Sequence, residues 1–450
     1  MFKRIKHIHF VGIGGSGMSG IAEVLLHLGY KVTGSDLKKT EVTEHLVGLG
    51  AGVFIGHAAK NISGANVVVT STAVHKTNPE VVEAEKNKIP VIPRIEMLAE
   101  LARLKYTVSI AGTHGKTTTT SMASLVLEKG GLDPTIIIGG RLKNIKSGAK
   151  LGKGDYLVAE ADESDGSFLK LSPTITVVTN IDNDHLDYYG TIDNIKRAFV
   201  EHINSIPFYG IAILCADDAN VAEIMPQIRR PCCTYGFNPK ADYTAKNISK
   251  KDSITAFDVC KKGEALGRVL LKVPGNHNVL NALAAVAVGV ELGIPFEKIA
   301  LALDEYAGVG RRIEIKGEKN GILVIDDYGH HPTEIKATIS AVKGNWAGRR
   351  LVVLFQPHRY SRTAHLYKEF GKAFVIADII KILDIYAASE EPIPGVTSKL
   401  IIDEIKTNGK NAEPFNGVEM LAKELKPGDI VLTLGAGDVW KQGEELLKLI

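Results

Sequence analysis

Cysteine is scarce in this chain: four residues, Cys215, Cys232, Cys233 and Cys260, at irregular spacing. That spacing matches neither a disulfide framework nor a zinc site. Long apolar runs are missing too. The longest, Leu283–Val290, stops at Glu291, well short of the ~18–20 residues that span a bilayer. Charge of one sign is missing as well, since the net charge is only +3 and no basic block occurs. A nucleic-acid or anionic-membrane partner is therefore not expected. Met1-Phe2-Lys3-Arg4-Ile5-Lys6-His7 leads straight into a strand and has no signal-peptide apolar core. No repeat or low-complexity tract interrupts the chain. Secreted, fibrous and membrane-spanning classes fall away, and cytoplasm is the expected compartment.

What is present is an ordinary globular composition, 45% hydrophobic and 23% charged, over a length that predicts about three domains at roughly 150 residues each. Strand and helix patterns alternate throughout, which predicts α/β architecture with mostly parallel sheets. Expected strands are His7–Ile13, Lys31–Ser35 and Val67–Thr70, with helices over Ser16–Leu28 and Ile95–Leu104. Strands Thr107–Ala111, Tyr156–Ala159 and Ile175–Thr179 follow, then a long helix, Asn276–Leu292. After the turn-prone Ala307-Gly308-Val309-Gly310 the alternation resumes. Strands Ile322–Ile325, Leu351–Phe355 and Asp429–Thr433 flank helices Thr333–Val342 and Thr363–Phe374. These breaks divide the chain at 1–106, 107–308 and 309–450.

The densest chemistry is Gly112-Thr113-His114-Gly115-Lys116-Thr117-Thr118, between a strand and a helix that ends at Gly130-Gly131. Glycines let backbone N–H groups approach phosphate oxygens, a lysine adds a point charge, and the helix N-terminus adds its dipole. A threonine hydroxyl after the lysine can ligate Mg²⁺. Ile110 stands where the usual phosphate loop has its first glycine, so this loop is a compact variant. ATP is the expected ligand.

A second glycine turn, Gly12-Ile13-Gly14-Gly15-Ser16-Gly17, follows the first strand, with Asp36 after the next. Such a turn fits a dinucleotide, with Asp36 on a ribose, and equally any other diphosphate, including that of a nucleotide sugar. Two acidic strand ends lie downstream: Glu160-Ala161-Asp162-Glu163-Ser164-Asp165 and Asn180-Ile181-Asp182-Asn183-Asp184-His185. Carboxylates at the carboxyl ends of parallel strands suit Mg²⁺. The last segment has Asp326-Asp327-Tyr328-Gly329-His330-His331-Pro332 and Gln356-Pro357-His358-Arg359-Tyr360-Ser361-Arg362 at successive strand ends. Arg359 and Arg362 are spaced to grip one carboxylate if the turn is compact. Arg311-Arg312 follows the inter-domain glycines, where a hinge arginine could reach ATP.

Taken in order, GIGGSGM, GTHGKTTT, AEADESDGSF, NIDNDHLDYYG, PGNHNVLNALAA, GRR, DDYGHHPTEI and QPHRYSRT resemble the motifs of the Mur ligases, ATP-dependent amide-forming enzymes of bacterial peptidoglycan synthesis. The resemblance covers essentially the whole chain, and its last two motifs look like those of the alanine-adding branch. It implies three domains: a Rossmann-like one for the UDP-sugar, a central phosphate-loop ATPase-type α/β domain, and a Rossmann-like C-terminal one for the amino acid. By motif match, Gly12, Gly14, Gly15, Ser16, Gly17 and Met18 would face the UDP diphosphate, with Asp36 assigned to the same substrate. Gly112, Thr113, His114, Gly115, Lys116, Thr117 and Thr118 would hold ATP, joined by Asn278, Asn281, Arg312 and Asp327. Thr117, Glu160 and His185 match the metal positions, with Glu163 a near neighbour left open. Tyr328, His330, Arg359 and Arg362 would receive L-alanine, and His330 is the candidate base. Phe199 stands where several later ligases carry a carbamylated lysine, and Lys196 is no convincing substitute. If the family's logic holds, the metals and phosphate are stabilised by another arrangement here.

The implied substrates are UDP-N-acetylmuramate and L-alanine, activated through an acyl phosphate, and a weak homodimer stays open. Three rival readings remain: an NAD-dependent dehydrogenase resting on the first glycine turn, a phosphate-loop switch or motor ATPase, and a recycling ligase that attaches a whole peptide to the same UDP-sugar.

Overall fold

The computed structural model describes residues 4–71, 73–144, 147–251, 254–388 and 390–450, apart from the side chains of residues 16, 141, 187 and 251. The opening Met1-Phe2-Lys3 lies outside them. Three sheets carry the described chain. The first holds β1 (His7–Val11), β2 (Lys31–Asp36), β3 (Gly52–Ile55), β4 (Val67–Thr70) and β5 (Val91–Pro93), in the order β3-β2-β1-β4-β5. All its pairings are parallel. The order reverses between β1 and β4, so the glycine turn after β1 sits at the crevice where open α/β sheets bind ligands.

The second sheet has ten strands: β6 (Tyr106–Ala111), β7 (Thr135–Leu142), β8 (Ser147–Lys150), β9 (Tyr156–Glu160), β10 (Ile175–Val178), β11 (Ile211–Cys215), β12 (Cys232–Gly236), β13 (Tyr243–Lys251), β14 (Ile254–Lys261) and β15 (Glu264–Leu271). Their order is β15-β14-β13-β12-β11-β10-β6-β9-β7-β8. From β9 through β6 and β10 to β12 the sheet is parallel. At one edge β7 and β8 form an antiparallel pair, so the sheet is mostly rather than wholly parallel. Strand β6 is flanked by β9, ending at Glu160, and by β10, whose chain continues into Thr179 and Asn180. Both acidic segments therefore emerge beside the phosphate loop.

The third sheet holds β16 (Glu314–Lys319), β17 (Ile322–Asp327), β18 (Leu351–Phe355), β19 (Ile379–Ile382), β20 (Glu413–Pro414) and β21 (Ile430–Leu434), in the order β16-β17-β21-β18-β19-β20. Only β16 runs antiparallel. Strand β21 lies between β17 and β18. The two C-terminal motifs thus sit on strands that are next but one, rather than side by side.

The parallel strands read as continuous apolar runs because both faces are covered, and every residue of β18 is buried. Two compact units emerge. One contains the chain up to Asn247 with Phe257–Val269 and Leu280–Ala307; the other contains Ile248–Ala256, Leu270–Val279 and Gly308–Ile450. Within the first unit a single apolar cluster joins Ile8, Phe10 and Leu25 to Ala149, Leu157 and Phe199. The helix Ser16–His27 helps close it: a Cβ on Gly20 would already touch Ala149 and the Gly148 carbonyl at 3.4 Å. Among the described residues no helix is long and apolar enough to cross a membrane.

Candidate active site

The glycine turn after β1 is tied to β2 by backbone. Gly12 N–H and Ile13 N–H both donate to Ser35 O, at 2.8 and 2.9 Å. Asp36 does not reach outward as a ribose clamp would: its Oδ2 accepts from Gly14 N–H at 2.9 Å, and its Oδ1 from Lys38 N–H at 3.3 Å. Met18 faces inward. Its side chain is buried in the apolar core, and its N–H donates to Gly15 O. It turns inward because it is the first core-facing residue of the helix Ser16–His27. Ser16 opens that helix, its side chain lying outside the described residues.

The phosphate loop is shaped by its surroundings. Gly112 has φ 130°, a conformation L side chains avoid, and a Cβ there would collide with Thr179 Oγ1. Gly115, at φ 83°, caps the helix Lys116–Gly130. Asn180 stitches the loop from β10. Its carbonyl accepts from Thr113 N–H (3.1 Å), its Oδ1 from His114 N–H (2.8 Å), and its Nδ2 donates to His114 O (3.0 Å). Asp182 completes the clamp, taking the His114 Nε2 contact at 2.9 Å while its N–H donates to Thr113 Oγ1. Thr118 is buried at the start of the helix, and Thr117 is half-buried. Asn281, on the helix Asn276–Glu291, accepts from Thr119 Oγ1 at 3.1 Å and lies against Gly115. Asn278 instead donates to Pro274 O at 2.7 Å.

Lys116 is the charge centre. Its ammonium donates to Gly112 O (2.6 Å), Thr113 O (3.2 Å) and both carboxylate oxygens of Glu163 (3.0 and 2.8 Å). Burial alone would lower its pKa, but the carboxylates of Glu163, Asp162 and Glu160 outweigh it and raise the value. Glu163 is only 2% exposed. Its backbone carbonyl accepts from Tyr189 Oη at 2.6 Å. Burial pushes the Asp162 carboxyl up, yet Lys116 and Arg94 together hold it below the ordinary range. Glu160 accepts from Gly139 N–H at 2.8 Å. His185 is left-handed (φ 58°) and caps the short helix Leu186–Tyr189, with Nε2 3.7 Å from Asp184. Phe199 packs edge-on against Phe168, ring centroids 5.3 Å apart, and Lys196 pairs with Glu223 at 2.7 Å. Phe199, not a lysine, occupies the position matched to the carbamylated lysine.

The second unit holds a cluster of another kind. Asp327 ends β17 and anchors two turns, accepting from Ile313 N–H and Gly329 N–H, each at 2.8 Å, and from Thr338 Oγ1 at 3.2 Å. Burial raises its pKa to about 6 against the pull of Arg312. Arg311 and Ile313 are forced to positive φ, 60° and 45°. Strain of this kind in a non-glycine residue needs surroundings that over-determine it. Arg311 supplies them, bonding Asp326 at 3.0 Å and the carbonyls of Gly435 and Gly437. Both Arg311 and Arg312 lie over the Tyr328 ring, 5.1 and 5.3 Å from its centroid. His330 Nδ1 approaches Tyr328 O at 3.2 Å and Glu334 at 3.4 Å.

His330 stands 5.9 Å from His358, which stacks on Tyr386 at 5.6 Å and an interplanar angle of 9°. Burial first, then Arg362 and Arg359, lowers the His358 pKa to about 4. Arg359 (φ 72°) caps the helix Tyr360–Ala373 and faces Glu390 at 3.9 Å. Arg362 donates to His358 O at 3.4 Å. Each of the two arginines has its own neighbour, and no single carboxylate is gripped by both among the described residues. Sequence reasoning passed over His358, Tyr386 and Glu390. His358 lay inside a quoted motif; nothing local marks the other two, which arrive from the chain after β19.

Comparisons with known proteins agree along the whole chain. Residues 7–106 match the model described as Mur ligase family, catalytic domain; 110–289 match the Mur ligase middle domain; 311–437 match the Mur ligase, glutamate ligase domain. A UDP-N-acetylmuramate–L-alanine ligase of Endomicrobium trichonymphae is 63% identical over all of both chains. One from Geotalea uraniireducens is 58% identical over 100% of this chain and 99% of that one. Among solved structures, a UDP-N-acetylmuramate–alanine ligase of Thermotoga maritima superposes with TM-score 0.84 at 32% identity, covering 98% of each chain. A murein peptide ligase of Psychrobacter arcticus covers 98% of each at 26% identity and TM-score 0.74.

Proposed function

The chain belongs to the Mur ligase family, and on that footing we propose that it joins L-alanine to the lactyl carboxylate of UDP-N-acetylmuramate at the expense of ATP, in peptidoglycan synthesis. The observation that carries the reading is the loop Gly112–Thr118, with Lys116 set among Glu163, Asp162 and Glu160, in a chain whose full-length relatives carry that activity in their names.

A carboxylate does not condense with an amine in water, because oxide would have to leave. In the proposed route a lactyl carboxylate oxygen attacks the γ-phosphorus of ATP. A new C(O)O–P bond forms and the bond to the ADP oxygen breaks. The neutral amine of L-alanine then attacks the acyl carbon. The C–O bond to phosphate breaks, and the nitrogen gives up a proton, for which His330, oriented by Tyr328 O and Glu334, is the assigned base. Lys116 neutralises charge on the transferring phosphoryl group. Gly112–Thr118, Asn278, Asn281, Arg312 and Asp327 are assigned to ATP. Gly12, Gly14, Gly15, Ser16 and Gly17 are assigned to the UDP diphosphate, and Tyr328, Arg359 and Arg362 to the alanine. The domain limits that go with this are 1–106, 107–308 and 309–450, and the compartment is the cytoplasm.

The donors fit a hard divalent cation. Thr117 offers a hydroxyl and Glu160 a carboxylate, the oxygen donors such an ion prefers, and His185 would add an imidazole. Mg²⁺ held there would supply charge neutralisation to the triphosphate. The test of the reaction is isotopic. With ¹⁸O in the lactyl carboxyl, one label should appear in the released phosphate, and phosphate release should require both UDP-sugar and L-alanine. Unlabelled phosphate would remove the acyl phosphate; a preference for tripeptide over L-alanine would move the enzyme to the recycling branch.

A further inference from the structure

The glycine turn assigned to the UDP diphosphate has a charge problem. The segment Gly12–Met18 carries no cation, and the side chain that accepts from its Gly14 N–H belongs to an acidic residue, Asp36. Several of its amides are already committed: those of Gly12 and Ile13 to Ser35 O, that of Gly14 to Asp36, and that of Gly15 to Gly12 O. A diphosphate brings about two negative charges, and a helix terminus alone offsets only about half a charge. A cation has to come from elsewhere in the fold.

One is in place. Arg94, the first residue of the helix Arg94–Ala102, lies directly on Gly17. A Cβ added to Gly17 would sit 2.6 Å from one Arg94 terminal nitrogen, 2.9 Å from Cζ and 3.1 Å from Cδ. The missing side chain at Gly17 is thus the space the guanidinium occupies. The other terminal nitrogen donates to Asp162 Oδ2 at 3.1 Å, and Asp162 is steadied by Ser164 N–H at 3.1 Å. That contact uses one of five guanidinium donors. The side chain is 23% exposed, so it can still meet a ligand.

We propose that Arg94 is a binding residue for the diphosphate of the UDP-sugar, held over the glycine turn by Asp162 as its positioning residue. Arginine suits the task, since its planar fork presents paired donors to phosphate oxygens. The same guanidinium joins the UDP turn to Asp162 on the acidic strand end. This deepens the ligase reading and rests on it.

The test is equilibrium binding of UDP, uridine and ADP to the full-length protein. Arg94→Ala should weaken UDP about tenfold to a hundredfold, the loss of a charge-assisted contact. Uridine and ADP should stay within twofold of wild type, and Arg94→Lys should recover part of the UDP loss. Asp162→Asn, which frees the guanidinium without removing it, should weaken UDP by a smaller factor. The proposal falls if Arg94→Ala leaves UDP affinity unchanged. It falls equally if uridine weakens as much as UDP, since a merely structural role would lower both. Should Arg94→Ala not fold, Arg94→Lys decides alone: a loss confined to UDP supports the contact, and no loss or a shared one overturns it. If wild type binds ADP but not UDP, the substrate reading itself has failed, a separate result.

Discussion

Around Lys116 charges of opposite sign meet at short range, whereas around Tyr328 and His358 the cations lean on aromatic rings and His358 is kept neutral. In the first region one ammonium is gripped by a buried carboxylate and two loop carbonyls. In the second, Arg311 and Arg312 stack on Tyr328, and His358 is held to a pKa of about 4 beside two arginines. The loop proposed to take a highly charged triphosphate is built from strong point interactions. The region proposed for a small amino acid, which arrives as a zwitterion and must react as a neutral amine, offers donors in fixed directions and the unprotonated His358 ring.

The largest effect that would break this contrast is on Lys116. Lys116→Ala should lower ATP cleavage by about a thousandfold or more while UDP binding stays within twofold. Removing the ammonium alone leaves Glu163 buried and unpaired, which costs about 3–5 kcal/mol. Lys116→Ala/Glu163→Gln is therefore the variant to assay alongside, with thermal melting to show that it is folded. Turnover retained by both would end the central assignment. Next in size, Arg359→Ala should raise the KM for L-alanine about tenfold to a hundredfold with ATP KM unchanged. Equal shifts in both would show that Arg359 only supports its helix.

The two regions were also unequally legible. The phosphate loop could be read because its glycines, lysine and threonines fall within seven consecutive residues, and the same holds for the glycine turn after β1. The strand-and-helix alternation exposed the α/β class, since buried parallel strands leave apolar runs. Spatial arrangement was harder to read. That β21 threads between β17 and β18 depends on pairing across about a hundred residues, which no local pattern encodes. Tyr386 and Glu390 reach His358 and Arg359 only through the parallel pairing of β19 with β18. Met18 and Asp36 show the same limit: packing turns one side chain into the core and hydrogen bonding turns the other onto Gly14, and neither can be read from a motif.

A third effect concerns acid. Burial lowers the pKa values of His202, His277 and His358 to about 4. A depressed histidine pKa means that the unfolded chain binds the extra proton between about pH 6.5 and 4. Stability is then complete above 6.5 and is lost as pH falls through that window, by about 1.4 kcal/mol per pH unit for each histidine. His202, fully buried against Phe168, is the cleanest probe. His202→Gln should flatten the acid limb of a urea-midpoint curve by about one proton, with little change in its slope above pH 7. An unchanged acid limb would show that His202 is protonated in the folded protein.

The smallest effect is the one that tells two roles of Glu163 apart. An ammonium has three donor hydrogens, and four acceptor atoms already surround Lys116 within 3.2 Å. A phosphate oxygen can be added only if one acceptor gives way. Gly112 O and Thr113 O belong to the loop backbone, so the side chain of Glu163 is the one free to swing. Its charge also repels the incoming phosphate. Glu163→Gln keeps an acceptor and removes the charge. Metal-free ADP should therefore bind about threefold to tenfold more tightly, a gain of about 1 kcal/mol. If Glu163 were instead a ligand of the catalytic cation, metal-free ADP would bind as before and the strengthening by Mg²⁺ would be lost. Titrating ADP with and without Mg²⁺ separates the two, and the second pattern would mean that Glu163 serves the metal rather than restraining the lysine.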